Sequence, residues 1–280
     1  MKIKEIKIND KLYPNKLKNI INPPDILYCI GDTALLNTFC IASVGSRRCT
    51  NYGKRVALFL GEKAAEYNVT LVSGMAYGID YYSHLGALEN GGKTIAVLGC
   101  GVDICYPKRN YDVYERIANN GLLISEVEPG KEPKPYYFPL RNRIISALSN
   151  SVIICEAEIS SGSMITAELA IEQGKSVYSV PGDIFSLNSY GTNKLILDGA
   201  KIVTTLDDVF IDMNLKKDVK LVLSKSERII YQIVKEKGEV EIKEIAKLLN
   251  MNDQDVKRFV GNLVLKGCVF YEVGKVFIAN

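Results

Sequence analysis

The chain has 280 residues, of which 47% are hydrophobic and 24% charged, with 35 Lys and Arg against 32 Asp and Glu. This composition excludes a fibrous or wholly disordered protein, and the length predicts one large domain followed by a small one. No apolar run reaches the ~20 residues that a membrane-spanning helix needs, and the N-terminus lacks a hydrophobic signal segment, so we expect a cytoplasmic protein with no membrane partner.

Residues 1–39 contain short strand-like pieces and are expected to form a lead-in that packs on the next domain. From Cys40 onward, continuous apolar runs alternate with amphipathic helical segments. The predicted strands are 40–45, 69–73, 93–99, 121–126, 151–157, 175–180 and 201–205. Continuous apolarity is typical of strands buried on both faces, so residues 40–212 are predicted to form an α/β domain with an extended Rossmann-like, doubly wound, mostly parallel sheet.

A polar, basic linker is predicted at 213–220, and the pattern changes after it. Residues 221–280 show three helical segments, the second of them at 240–250. Ser224 is the N-cap of the first, Gly238 ends it, and Asn252 or Asp253 caps the third. Two β-rich runs around Gly274 and Lys275 indicate a hairpin. This order is typical of a small winged-helix domain, and contact with DNA and contact with protein both remain open for it.

The seven cysteines are irregularly spaced, form no CxxC pair and include several within apolar strand-like runs. His84 is the single histidine. We therefore expect reduced thiols, no metal site and no cofactor. Ser73, Asp80 and His84 could make a triad, but the local sequence is not a nucleophile elbow, and a structural role is the better interpretation.

Candidate binding residues follow the strands, where ligands of a parallel sheet bind. The loop Gly45-Ser46-Arg47-Arg48 offers helix N-terminal amides and a guanidinium to a phosphate. The stretch Tyr106-Pro107-Lys108-Arg109 joins a ring to two cations, a mixture typical of single-strand binding. The proline-rich loop 129–140 leads into a helix in which Arg141 and Arg143 point to different faces, so one is expected to reach a ligand and the other to brace the fold.

Eight segments occur in the order of a known family's motifs. They are GSRRCTNYG, SGMAYGID with a following His, TIAVLGCGVDICYP, LISE, FPLRNRIISALS, EAEISSGSMITAELA, VPGD and GTNKLILDGA. From about Tyr13 to about Phe210 the chain resembles the DNA-processing protein A (DprA/Smf) family. Tyr82-Ser83 departs from the family pattern, which usually has Ala directly before the His, and the C-terminal modules of the family vary.

The resemblance implies a non-enzymatic, single-stranded DNA-binding protein that forms a homodimer through its Rossmann-like domain. Such proteins protect incoming DNA and load the RecA recombinase in natural transformation. The residues predicted to contact DNA are Gly45, Ser46, Arg47, Lys108, Lys134, Phe138, Arg141, Arg143, Ser161, Gly162, Ser163, Thr166 and Asn193. The residues predicted to build the pocket are Ser73, Gly74, Gly78, Asp80, His84, Gly99, Gly101, Glu126, Asn142, Glu156, Pro181 and Gly182.

Asp80, Glu126 and Glu156 would repel DNA if they were exposed, so we expect them to pair with arginines or to cap loops. The alternative function is a nucleotide-cleaving enzyme related to the lysine-decarboxylase-like phosphoribohydrolases, in which Glu126 and Glu156 would serve a bound ribose-phosphate. Against it, the stretch that would match the PGGxGT-type phosphate loop of those enzymes is Ser160-Ser-Gly-Ser-Met-Ile-Thr166 here.

Overall fold

The computed structural model describes residues 2–217, 224–266 and 268–278. By its internal contacts the chain divides into two units, Met1–Asp218 and Val219–Asn280. Residues 218–220 of the predicted linker, and residues 221–223, 267, 279 and 280 of the predicted small domain, lie outside the described residues. In the described part of the chain, no helix is long and apolar enough to span a bilayer.

The first unit is built on a nine-stranded sheet. Its strands are β1 (Lys4–Lys7), β2 (Ile26–Gly31), β3 (Cys40–Gly45), β4 (Thr70–Ser73), β5 (Thr94–Val97), β6 (Leu122–Ser125), β7 (Ser151–Glu156), β8 (Ser176–Ser179) and β9 (Lys201–Ile202). Their order across the sheet is β1-β2-β6-β5-β4-β3-β7-β8-β9. Neighbours from β6 to β9 in that order are parallel, which confirms the predicted doubly wound sheet. The lead-in contributes β1 and β2, which extend the sheet as antiparallel strands.

Helices cover both faces of this sheet. They are α1 (Asn15–Lys18), α2 (Asn51–Glu66), α3 (Ile79–Glu89), α4 (Tyr111–Asn120), α5 (Tyr137–Leu148), α6 (Gly162–Glu172), α7 (Leu187–Leu197) and α8 (Leu206–Asp212). Alternate side chains of the central strands enter opposite layers, because successive strand residues point to opposite faces. In β7, Val152 packs in the layer of α5 and α6, whereas Ile153 packs in the layer of α2 and α3. Both layers are apolar, which is why these strands carry continuous apolar runs.

In the residues that the structure describes, the second unit contains three helices and a three-stranded antiparallel sheet. The elements are α9 (Lys225–Lys237), β10 (Glu239–Glu241), α10 (Ile242–Leu249), α11 (Asp253–Leu265), β11 (Val269–Glu272) and β12 (Lys275–Ile278). The side chain of Ser224 caps α9, and that of Asn252 caps α11. The hairpin turns at Val273 and Gly274, whose φ angles of 46° and 83° are both positive, as a type I′ turn requires.

One boundary in this unit differs from the prediction. Val240 and Glu241 were expected to start a helix, but they form β10, because Val240 pairs with Val276 of β12 and is buried. The hydrophobic pattern of a short segment does not distinguish a buried strand residue from the first buried residue of a helix. The winged-helix assignment of this unit stays a prediction.

Candidate nucleic-acid interface

A cleft opens where the strand order of the sheet reverses. From β3 the chain proceeds through β4, β5 and β6 on one side, whereas β7, β8 and β9 lie on the other. The loops after β3 and β7 therefore diverge, which leaves a crevice at the carboxyl edge of the sheet. The cleft, called here the switch-point cleft, has a volume of about 710 Å³.

Nine of the thirteen residues predicted to contact DNA line this cleft. They are Gly45, Ser46, Arg47, Phe138, Arg141, Ser161, Gly162, Ser163 and Thr166, joined by Asp80 and Asn142 from the predicted pocket residues. The other four, Lys108, Lys134, Arg143 and Asn193, lie outside the lining. Lys108 is exposed at the start of a short 3-10 turn, Lys134 lies 5.9 Å over the ring of Tyr136, and Asn193 binds the backbone of Gly182. Their contacts with DNA stay predictions.

The loop after β3 is held so that two arginines project from it. The backbone N–H of Ser46 donates to the carbonyl of Glu156 at 2.7 Å, and the N–H of Arg48 donates to the Ser46 hydroxyl at 3.1 Å. A Cβ on Gly45 would lie 2.8 Å from that same carbonyl of Glu156, so the close approach of the two loops requires glycine. Arg47 and Arg48 are both exposed, and the Arg47 guanidinium lies 5.4 Å over the ring of Phe138.

Glu156, at the end of β7, caps the helix that follows this loop. Its carboxylate accepts hydrogen bonds from the backbone N–H of Thr50 at 2.8 Å and from the Thr50 hydroxyl at 2.6 Å. The same hydroxyl accepts from the N–H of Gly53 in the first turn of α2. A Cβ on Gly53 would lie 2.3 Å from the carboxylate, so the glycine in the first turn of α2 leaves room for the Glu156 side chain. Negative charge at a helix N-terminus is stabilising, and Glu156 has a structural role here.

The N-terminus of α6 faces the cleft from the opposite side. Ser161 is its N-cap, and its hydroxyl accepts from the N–H of Ser163 at 3.2 Å. Ser160, Gly162 and Thr166 also line the cleft. Helix α6 has eleven residues, and its N-terminus carries the partial positive charge of the helix dipole, which attracts anions.

Arg141 forms part of the cleft floor but is almost entirely buried. One of its guanidinium nitrogens donates to the carbonyl of Gly74 at 2.6 Å and also to the carbonyl of Val97. Asp80, beside it, accepts from the backbone N–H groups of Gly74 and Ala76. Burial raises the pKa of Asp80 and lowers that of Arg141 to about 10, and the attraction between the two opposes both shifts. Arg141 therefore ties the loop that follows β4 to the end of β5.

Arg143 takes a different partner from Arg141. Its guanidinium makes two hydrogen bonds of 2.9 and 2.6 Å to the carboxylate of Glu126 and a third, of 3.1 Å, to the carbonyl of Asn22. It thus fastens α5 to the end of β6 and to the lead-in. Glu126 and Glu156 both have hydrogen-bond partners, as does Asp80, so these three carboxylates pair or cap as the sequence leads us to expect.

Two aromatic rings form the rim of the cleft. Phe138 and Tyr106 lie with ring centroids 5.6 Å apart, and the Tyr106 ring is 45% exposed. A Cβ on Gly99 would lie 2.8 Å from the ring of Phe138, so the lack of a side chain at Gly99 leaves room for the ring. The rim joins the loop after β5 to the first turn of α5.

The conceivable triad is not assembled. Ser73 donates its hydroxyl to the carbonyl of Ser43 at 2.6 Å, and His84 contacts the Thr94 hydroxyl at 2.7 Å. Because Thr94 already donates to Leu71, His84 must be the donor, through Nδ1. Burial lowers the pKa of His84 to about 3, so the ring is neutral at ordinary pH.

Two functional candidates escape the sequence reasoning. Arg48 lines the cleft beside Arg47, and Glu158 places an exposed carboxylate there. Arg48 lies directly after Arg47 in the motif GSRRCTNYG, and Glu158 follows Glu156 by two residues in the motif EAEISSGSMITAELA. Only the turn of the chain after β7 brings Glu158 to the cleft. Nowhere in the described residues does a group of three His, Cys, Asp or Glu side chains stand close enough to hold a metal ion.

The sequence of this chain is similar to a family model and to the sequences of known proteins. A family model described as DNA recombination-mediator protein A matches residues 4–214. DNA processing protein DprA of Streptococcus pneumoniae is 43% identical over 212 residues, which are 75% of this chain and 74% of that relative.

Two solved structures have the same fold over three quarters of this chain. The X-ray structure of DNA processing protein A from Streptococcus pneumoniae superposes with a TM-score of 0.73 at 42% identity, covering 75% of this chain and 74% of that one. A structure of DNA processing protein A from Helicobacter pylori, described for its single-stranded DNA binding mode, gives a TM-score of 0.69 at 35% identity and covers 75% and 95%, respectively. Both confirm the predicted fold class.

Proposed function

Because the chain belongs to the DNA recombination-mediator protein A family, we propose that it binds single-stranded DNA in the switch-point cleft, without sequence preference and without catalysing a reaction. The resemblance in its motifs extends the proposal: in the cytoplasm the bound strand would be protected and passed to the RecA recombinase during natural transformation. The Helicobacter pylori relative, described for its single-stranded DNA binding mode, supports the same ligand class.

One observation carries this proposal: the exposed pair Arg47 and Arg48 stands opposite the N-terminus of α6, and the ring of Phe138, at the rim, lies beneath the Arg47 guanidinium. Guanidinium groups and helix amides bind phosphate oxygens, and a ring at the rim stacks a base. Such contacts use the backbone and the faces of bases rather than their edges. They therefore give affinity without sequence preference.

Fluorescence anisotropy with labelled oligo-dT and an equally long duplex, over a salt series, tests this function. We expect preference for the single strand, and a loss of affinity in Arg47→Ala together with a fall of about 0.7 in the slope of log K against log salt. Arg55→Ala is the matched control, because Arg55 is exposed on α2 and does not line the cleft. Absence of binding at low salt would contradict the proposal.

A nucleotide-cleaving enzyme is the second candidate, and Glu158 is the observation in its favour. Glu126 and Glu156 are held by Arg143 and Thr50, whereas the Glu158 carboxylate is exposed at the cleft and has no ion pair within the described residues. Incubation of the protein with nucleoside monophosphates, followed by chromatography of the bases, tests it. Release of free base that is lost in Glu158→Gln would favour the enzyme.

We also propose a homodimer through the first unit. Exposed apolar side chains occur on α6, on α7 and on the segment before α7. They include Ile171, Ile184, Phe185, Leu187 and Leu197, of which Phe185 is 86% exposed. Light scattering of wild type and of Phe185→Glu tests this proposal, since burying a charge in an apolar interface would shift the mass toward the monomer.

A further inference from the structure

A second cleft lies beside the first, on the β4 and β5 side of the sheet edge. Its volume is about 510 Å³, and its walls are the loop after β3, the loop after β4 with the first turn of α3, and the short turn after β5. Arg47 and Arg48 line both clefts, so the two join at this pair. We call this second one the tyrosine cleft, after Tyr77, Tyr81 and Tyr82 in its walls.

The tyrosine cleft is positively charged. Arg109 lines it together with Arg47 and Arg48, and its lining contains no acidic side chain. Arg48 and Arg109 are exposed, and in residues 2–217 neither guanidinium has an ion pair. Asp112, a nearby acid, accepts a hydrogen bond from the Tyr81 hydroxyl at 3.1 Å. Three arginines whose positive charge is not neutralised by acidic side chains in the cleft lining make a site for anions.

The loop that carries Tyr77 is held in place by hydrogen bonds to the side chains of two other residues. Asp80 accepts from the N–H of Ala76 at 3.2 Å, and the side-chain amide of Asn110 donates to the carbonyls of Met75 and Ala76 at 2.9 and 3.2 Å. Asp80 and Asn110 are buried, so the loop that carries Tyr77 is braced on two sides. The Tyr77 ring itself is 46% exposed. A large aromatic side chain held out to solvent by a braced loop offers a stacking surface.

We propose that the tyrosine cleft is a second nucleotide subsite, which takes the DNA strand as it leaves the switch-point cleft. Arg48 and Arg109 hold a phosphate, and a base stacks on Tyr77. Arg47 and Arg48 line both clefts, so a phosphate that lies between the clefts contacts these two arginines. The strand therefore follows one continuous positively charged path. This inference rests on the proposed function and adds a direction to it: the strand runs from the α6 side toward the turn after β5.

Binding of oligo-dT of two lengths tests the subsite, with about 4 nucleotides to fill one cleft and about 12 to reach both. Phe138→Ala is expected to weaken binding of both lengths. Tyr77→Ala and Arg109→Ala are expected to weaken only the longer one, by about 10-fold, because a stacked base or a held phosphate is lost there. Tyr77→Phe keeps the ring and should keep the affinity. Arg109→Ala should also lower the salt slope for the long oligonucleotide by about 0.7.

Matched controls are Tyr111→Ala and Arg55→Ala, since both residues are exposed and line neither cleft. Equal loss of both lengths in Tyr77→Ala would overturn the subsite, because the residue would then act on the first cleft. Unchanged binding of the longer oligonucleotide would overturn it as well. A wild-type protein that binds neither length would instead refute the proposed function, and the subsite with it.

Discussion

The carboxylate of Glu126 holds the guanidinium of Arg143 by two hydrogen bonds, of 2.9 and 2.6 Å. Arg141, two residues earlier on the same helix, points to another side and donates to the carbonyl of Gly74 instead. Residues two apart on a helix do not share a face, so these arginines brace different parts of the fold. The exposed positive charge of the switch-point cleft therefore comes from Arg47 and Arg48.

Glu126→Gln is expected to lower stability and leave DNA binding unchanged. The substitution removes the charge that compensates Arg143, which costs about 1–3 kcal/mol in the free energy of unfolding. Urea denaturation measures the loss, and oligo-dT anisotropy measures the affinity. Unchanged stability with tighter DNA binding would show instead that Glu126 is an exposed repelling charge.

Glu158→Gln is expected to strengthen single-stranded DNA binding at low salt. Glu158 is the exposed carboxylate of the switch-point cleft, and its repulsion of a nearby phosphate is about 1 kcal/mol, or about 5-fold in Kd. The gain should shrink as salt rises, because exposed charges are screened. Weaker binding in this variant would mean that Glu158 contacts the strand as a hydrogen-bond acceptor.

Phe138→Ala is expected to weaken oligo-dT binding by about 5- to 150-fold, because a stacked base is worth about 1–3 kcal/mol. The slope of log K against log salt should not change, since no charge is removed. This constancy distinguishes the ring from Arg47, whose loss lowers the slope. Phe138→Tyr serves as the control that keeps the ring, and a loss of affinity equal to that of the alanine variant would argue against stacking.

His84 is expected to stay neutral across the physiological range. Its folded pKa of about 3 lies below the ordinary 6.5, so the unfolded chain binds the proton first as pH falls. Stability is therefore lost from about pH 6.5 downward, by at most about 1.4 kcal/mol per pH unit from this group. Because the chain has one histidine, a single imidazole NMR signal reports it. A midpoint between pH 5 and 7 in the folded protein would disprove the assignment.

Gly74→Ala is expected to destabilise the first unit by about 1–3 kcal/mol, as overpacking does. The new Cβ would lie 2.3 Å from a guanidinium nitrogen of Arg141, and that side chain is fixed by buried hydrogen bonds. Gly162→Ala is the control for stability, because a Cβ there meets nothing within 4 Å. Thermal unfolding compares the two, and an equal effect on both would show that Arg141 can move aside.

The sequence by itself determined the sheet and most of the switch-point cleft. Short apolar runs that alternate with amphipathic helical segments are typical of strands covered by helices on both faces, and the carboxyl ends of parallel strands share one edge. For this reason the sequence predicts that Gly45, Arg47 and Ser161, far apart in the chain, lie at one edge of the sheet.

The tertiary structure alone decided which charges stay available. The sequence predicts that one of Arg141 and Arg143 reaches a ligand, yet both are committed to partners distant in the chain. It predicts partners for Glu126 and Glu156 as well, but it does not identify Arg143 and Thr50 as those partners. Such pairing depends on which loop lies a few ångströms away, because hydrogen bonds act only at contact distance. The same reason brings Tyr77, Arg48 and Arg109 around one cleft, although three different loops supply them.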